Sequence, residues 1–329
     1  MSIAPRKATQ TSKPEAPRRF VFLLLDKFTM LAFASAIEPL RIANRVIGEQ
    51  AYTWALAGEG GEWATCSNGT AFKLDMGLDE IERDDILLAC GGIDVQKAAT
   101  KPVLNWLRRE ARRGVVIGGL CTGAYALAAA GILKGRKFTL HWDNIPAFVE
   151  LHPDMPPARQ VFCIDDRVMT CAGGVAAADL MLKLINDRFG AALGQEVMNM
   201  CLLTRRRDEA DHQTTSLAAR LGTRHDKLLQ AAAYLEAHIE EDFDLDACAA
   251  HLSLSRRQIE RLFSRYLNVT PVRYMNDLRL ARGRALLAET DMKVTEVAIA
   301  CGYASASHFS KSFRKKYGVS PYRFSHFGA

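Results

Sequence analysis

The chain reads as an α/β layer built on a largely parallel sheet, followed by an all-α domain with two helix-turn-helix units. Two observations predict this. From Phe20 onward, short apolar runs alternate with amphipathic stretches: FVFLLL, a periodic segment from Met30 to Asn44, YTWALAG, DDILLACGG, a helix ending in the basic run Arg108 to Arg113, VVIGGL, and a helix through Ala130. Strands that are apolar on both faces and separated by helices belong to a parallel sheet covered on each side. The second observation is an internal repeat. Leu245 and Ala249 recur as Val294 and Ala298, and Ile259, Phe263, Val269, Pro271 and Tyr274 recur as Phe309, Phe313, Val319, Pro321 and Phe324. Apolar spacing is kept while one turn varies by a residue, as in a duplicated helical unit.

Length and composition set the outer bounds. At 329 residues two domains are expected, and 49% hydrophobic with 24% charged residues suffices for real cores. No run approaches the roughly 18 apolar residues of a membrane helix, so a cytoplasmic protein without a membrane partner is expected. The eight cysteines (66, 90, 121, 163, 171, 201, 248, 301) show no CxxC pair or zinc-like spacing. They are expected to be small core residues in a reducing compartment, with neither metal nor cofactor. The net charge is +6, and residues 223–329 hold 16 Lys and Arg against 12 Asp and Glu, a surplus placed where phosphates would be met.

The domain order follows. Residues 1–17, with Pro5, Pro14 and Pro17, lack apolar periodicity and are expected to form a disordered tail. Residues 18–203 form the sheet domain, which closes with a hairpin turning at Asp165 and Asp166 and a helix from Val175 to Arg188. The polar run RRRDEADHQTTS marks a linker over 204–222, and 223–329 is helical.

In the first repeat, Leu245, Cys248, Ala249 and Leu252 form one face of a short helix, and Ser253 to Ser255 make a turn with a capping serine. The next helix points Ile259, Leu262, Phe263 and Tyr266 inward. Arg257, Glu260 and Arg261 share the outer face, where Arg can bind guanine and Glu can accept from cytosine. Ser255, Arg256 and Arg265 flank that face and suit phosphates. In the second repeat Phe309 and Phe313 anchor the equivalent helix, which presents Ser307, His308, Ser310, Lys311 and Arg314, with Lys315 and Lys316 at its far end. These residues are expected to contact double-stranded DNA. The segments SRRQIERLFSRYLNVTPVRYMNDLRLARGRALL and VTEVAIACGYASASHFSKSFRKKYGVSP resemble the two halves of the AraC/XylS DNA-binding domain. That resemblance implies a transcriptional regulator, an activator in the first instance, with a homodimeric state and RNA polymerase as a further partner.

In the sheet domain GVVIGGLCTGAYALAAAG puts Cys121 at a sharp strand-to-helix turn. Such a turn lifts a side chain beside backbone N–H groups and a helix N-terminus, which favours a thiolate and can hold an anion. With His141 as base, Cys121 could be a nucleophile. The layout resembles the PfpI-like branch of the type 1 glutamine amidotransferase superfamily, implying a flavodoxin-like sheet. That branch places an acid on the first helix. Aligning Glu38 of AIEPLRIAN puts Ala32 at the acid's position, and a methyl group cannot orient a thiol. No catalytic residue is therefore expected, and a cysteine-dependent amidase or hydrolase is the alternative. The expected role is a ligand pocket at the carboxyl ends of the strands, lined by Gly92, Ile93, Asp94, Cys121, Thr122, His141 and Trp142. The runs EPLRIANR, CTGAYALA and TCAGGVAAADLML are similar to regulators of betaine, carnitine or arginine-type compounds, implying a small nitrogenous effector. A quaternary ammonium would need an aromatic wall, for which Trp142 comes first, then Trp63 and Phe28.

Overall fold

The computed structural model describes residues 16–213 and 217–327, so nearly all of the expected tail lies outside the described residues. Contacts divide the chain into a sheet unit, ending at His141 and resuming over Pro157–Asp211, and a helical unit made of Trp142–Pro156 and His212 onward.

The sheet unit runs β1 (Arg18–Leu24), α1 (Met30–Ile47), β2 (Tyr52–Ala57), β3 (Trp63–Thr65), β4 (Ala71–Lys73), β5 (Ile86–Cys90), α2 (Val95–Ala98), α3 (Lys101–Arg113), β6 (Val116–Leu120) and α4 (Gly123–Ala129). After the excursion containing α5 (Ile145–Leu151) come β7 (Phe162–Asp165), β8 (Val168–Cys171), α6 (Ala176–Phe189) and α7 (Ala191–Met200). The sheet order is β2-β1-β5-β6-β8-β7, parallel except for β7, which folds back on β8 through Asp166 in the left-handed region. β5 and β8 are buried along their whole length, which explains runs without polar alternation. Alternate β1 residues Phe20, Phe22 and Leu24 join a core with Phe33 and Leu40 of α1 and Leu180 and Ile185 of α6. The stretch read as a linker is pinned at its start. The Arg207 guanidinium and N–H each donate to the buried Asp179 carboxylate at 2.8 Å, and Val161 N–H donates to Asp211 O at 2.9 Å.

The helical unit contains α5, α8 (Leu217–Arg220), α9 (Asp226–Ala237), α10 (Leu245–His251), α11 (Arg256–Leu267), α12 (Pro271–Glu289), α13 (Val294–Ala300), α14 (Ala306–Tyr317) and α15 (Pro321–Phe327). The repeat is real in three dimensions. α10–α11 and α13–α14 are the two helix-turn-helix pairs, each followed by a helix that begins with proline. One core gathers Leu228, Leu245, Cys248, Ile259 and Phe263; the other gathers Leu286, Val297, Cys301, Phe309 and Phe313. Ala147 of α5 lies wholly buried in the second core, a participation that no periodicity along the chain reveals.

Candidate functional site

The first reading helix, α11, starts on a complete capping box. Ser255 Oγ accepts from Gln258 N–H at 3.3 Å, and Gln258 Oε1 accepts from Ser255 N–H at 2.7 Å. This fixes the helix's N-terminal turn. Arg257, Glu260, Arg261 and Arg265 are exposed on one side, while Ile259 and Phe263 are buried on the other. Two details depart from expectation. Arg256 is engaged by Glu260 at 3.2 Å and Asp246 at 3.6 Å, so phosphate would have to compete for it. Tyr266 is half-exposed, with the Arg265 guanidinium over its ring and His225 beside it, because the core is already closed by Phe263 and Tyr274.

In the second reading helix, α14, Ser305 caps the start by accepting from His308 N–H at 3.2 Å. Ser307, His308, Lys311, Arg314 and Lys315 are exposed, and Ser310 is half-buried. Lys316 turns away from this face. Its ammonium donates to the Asp277 carboxylate at 2.6 Å and to Asp277 O at 3.1 Å, bracing α14 on α12. The 19 residues of α12 separate the readers by about 28 Å of helix at ~1.5 Å per residue.

In the sheet unit Cys121 adopts φ +58°, a left-handed conformation that β6 and α4 impose on a non-glycine residue. Its side chain is packed at 6% exposure. Thr29 Oγ1 lies 3.7 Å from Sγ, and the Cys121 N–H donates to Cys171 O at 3.1 Å. Two glycines make room: a Cβ on Gly173 would meet the Cys121 Cβ at 2.5 Å, and one on Gly92 would meet Lys27 O at 2.0 Å. Thr122 Oγ1 donates to Gly92 O at 2.7 Å, so Gly92, Cys121 and Thr122 are brought together. Neighbouring thiols stay protonated: burial pushes Cys171 up to about 12 and Cys90 well above its usual 9.0. Ala32, where the resemblance places an acid, is buried at 1% exposure.

Ile93 is exposed, and Asp94 faces a cavity of about 410 Å³ near the carboxyl ends of β1 and β2. Asp26, Lys27, Glu59, Trp63 and Lys97 also line it. Lys27 and Lys97 share the Asp94 carboxylate at 2.7 and 3.3 Å; the Lys27 hydrogen bond leads in holding that carboxyl below its usual range. The Trp63 ring is 59% exposed. Sequence reasoning expected a pocket at the carboxyl ends of the strands with Asp94 in it, placed Trp63 second as its aromatic wall, and missed Thr29, Gly173 and the other lining residues Asp26, Lys27, Glu59 and Lys97. These come together only through the sheet, and no local motif marks them. Phe28 is ruled out as an open wall because it is fully buried, edge-on to Phe33 and Phe72. His141 ends the first stretch of the sheet unit, whereas Trp142, 51% exposed, belongs to the helical unit.

Residues 18–187 match the DJ-1/PfpI family and residues 248–326 match a helix-turn-helix domain. The HTH-type transcriptional regulator GbdR of Pseudomonas aeruginosa is 40% identical over 305 residues, covering 93% of this chain and 83% of that one. The HTH-type transcriptional regulator CdhR of the same organism is 39% identical over 302 residues, covering 92% and 90%. A THiJ/PfpI family protein from Pseudomonas syringae superposes with a TM-score of 0.51 at 17% identity over 84% of this chain and 97% of its own, a likeness of fold alone.

Proposed function

Because the chain belongs to the DJ-1/PfpI family by its sheet half and, over nearly its whole length, to the AraC-type helix-turn-helix transcriptional regulators, we propose that its sheet half is a non-catalytic sensor. The effector is a small zwitterionic nitrogen compound, and its binding controls promoter recognition by the helical half. The observation that carries this is the cavity at the carboxyl ends of β1 and β2. It offers an exposed indole and the Asp26 and Glu59 carboxylates to a cationic nitrogen, and a ligand carboxylate would compete with Asp94 for the Lys27 and Lys97 ammoniums. A cation over indole gains about 2 kcal/mol when desolvated, enough to orient such a ligand. In this reading the protein acts in the cytoplasm as a homodimeric activator that engages RNA polymerase. The exposed faces of α11 and α14 enter neighbouring major grooves, about 34 Å apart on one side of a duplex.

Thermal melting of the full chain with glycine betaine, carnitine or arginine tests the sensor. A true effector at a hundredfold excess over Kd stabilises by about 2.7 kcal/mol, and Trp63→Ala abolishes the shift. Unchanged melting with all three compounds would remove the zwitterion assignment. A second reading, a cysteine hydrolase, draws on the left-handed Cys121. Amide turnover that Cys121→Ala abolishes while promoter binding persists would favour it.

A further inference from the structure

We propose that residues 142–156 are the coupling element of this protein, a piece of the sensing half's sequence built into the DNA-reading half. The proposal rests on the regulatory reading above. Contacts assign Trp142–Pro156 to the helical unit, although the chain enters it from His141 and leaves it at Pro157, both in the sheet unit.

The root of the excursion is clamped. Thr139, fully buried, has its hydroxyl 2.8 Å from Ala158 O and 2.9 Å from Gln160 O, tying the outgoing strand to the returning one. Its N–H donates to Thr170 Oγ1 at 2.8 Å. The next residue, Cys171, accepts the Cys121 N–H through its carbonyl. Elbow and root therefore hang on adjacent residues of β8. A shift at the end of β8 would act on both.

The far end of the excursion is equally committed. Ala147 fills a place in the second reader's core, and Glu150 accepts from Arg282 Nη2 at 3.0 Å. Arg282 stands on α12 with its side chain 16% exposed. Glu240 takes the same Nη2 at 2.6 Å, and among the described residues the buried Nε has no hydrogen-bond partner. A nearly buried guanidinium held by two carboxylates is destabilised when one withdraws, because its charge is left under-compensated. The adjacent Gly283 carries the consequence to the reader: a Cβ there would meet the Phe309 ring of α14 at 2.6 Å. Movement of α5 thus bears on the helix that sets the spacing of the two reading helices. Two discrete arrangements biased from both ends are what an allosteric coupling requires.

Hydrogen exchange of the full chain, with and without a duplex that the protein itself enriches from a random pool, tests this. By linkage, if the state of the sensing half changes DNA affinity, DNA binding must bias the state of the sensing half in turn. Expected on DNA binding are protection at α11 and α14, exchange about fivefold slower at 145–151, and changed exchange at 117–122 and 137–141. In Glu150→Lys the reading helices still respond, but the change at 117–122 and 137–141 disappears. Glu150→Gln, which keeps a hydrogen-bonding group and removes the charge, should halve it and serves if the lysine variant does not fold. The proposal is overturned if 145–151 is indifferent to DNA while α11 and α14 are protected, or if both variants keep the full elbow response. Absence of protection at α11 and α14 themselves overturns the DNA reading, and the coupling with it.

Discussion

The two helix-turn-helix units share one plan and differ in what they spend their charges on. α11 opens on a full capping box and mixes Arg257, Glu260 and Arg261 on its face, with Arg256 already held by acids. α14 opens on a simpler cap and ends in Arg314, Lys315 and Lys316, with no acid within it. The turns differ in the same positions: Ser253 takes φ +54° in the first, where Gly302 takes φ +70° in the second. The first core is closed by its own helices, whereas the second includes Ala147 from far upstream. Duplication fixes the scaffold and leaves each copy free to specialise; the charge patterns suit the first to base edges and the second to phosphates, which the following measurements test.

The largest effect should come from the cores. Phe309→Ala should cost about 3–5 kcal/mol in urea unfolding, and Phe263→Ala as much. If the cores are independent, each substitution should spare hydrogen-exchange protection in the other repeat, and joint loss would break the comparison. Next, Arg261→Ala should relax base preference at one operator position by about 1–3 kcal/mol, while Lys315→Ala should weaken all sequences alike and lower the salt slope by about 0.9. Binding titrations on an operator and its single-base variants would show the roles reversed if α14 is the base reader. Gly302→Ala should then cost about 1–2 kcal/mol from the left-handed backbone alone, with added strain because its Cβ would lie 2.7 Å from Ile239 O; Ser253→Ala should be near neutral. Equal melting temperatures for the two variants would contradict that. The smallest effect concerns pH. Burial raises Cys248 to about 11 and Cys301 to about 12 from the usual 9.0. Above pH 9 the unfolded chain sheds these protons first. Stability from each thiol is therefore complete below pH 9 and lost as pH climbs toward the folded value, by at most about 1.4 kcal/mol per unit. Cys301→Ala should melt with a shallower decline between pH 9 and 10.5, and superimposable curves would count against thiol burial as the cause.

Much of this was legible in one dimension. The fully buried strands announce themselves as apolar runs, and the repeat of Ile259 and Phe263 as Phe309 and Phe313 exposes the duplicated readers, because core positions in short helices tolerate little else. The outward faces of α11 and α14 follow from helical periodicity alone. Lys316 was misjudged because its partner, Asp277, lies 39 residues away on another helix. The elbow at Cys121 was visible in the Gly-rich turn, yet Thr29 and Gly173 reach it through α1 and the loop after β8, and sheet order is not written locally. Trp142 was expected to share a pocket with His141, but contacts assign the two residues to different units. The excursion was invisible for the same reason: seven residues of short helix carry too few apolar positions to declare which core they join.

That Ala147 sits inside the second reader's core limits how this architecture can be rearranged. A chimera joined at the polar stretch after residue 203, pairing this reader with a relative's sensor, would leave a notch beside Leu286 and Val297 and strip Arg282 of one of its two carboxylates. In this chain a swap that keeps α5 and α12 together should preserve both contacts. Exchange of specificity between such halves would thus have to respect a short helix that contributes to neither the cavity lining nor the reading faces.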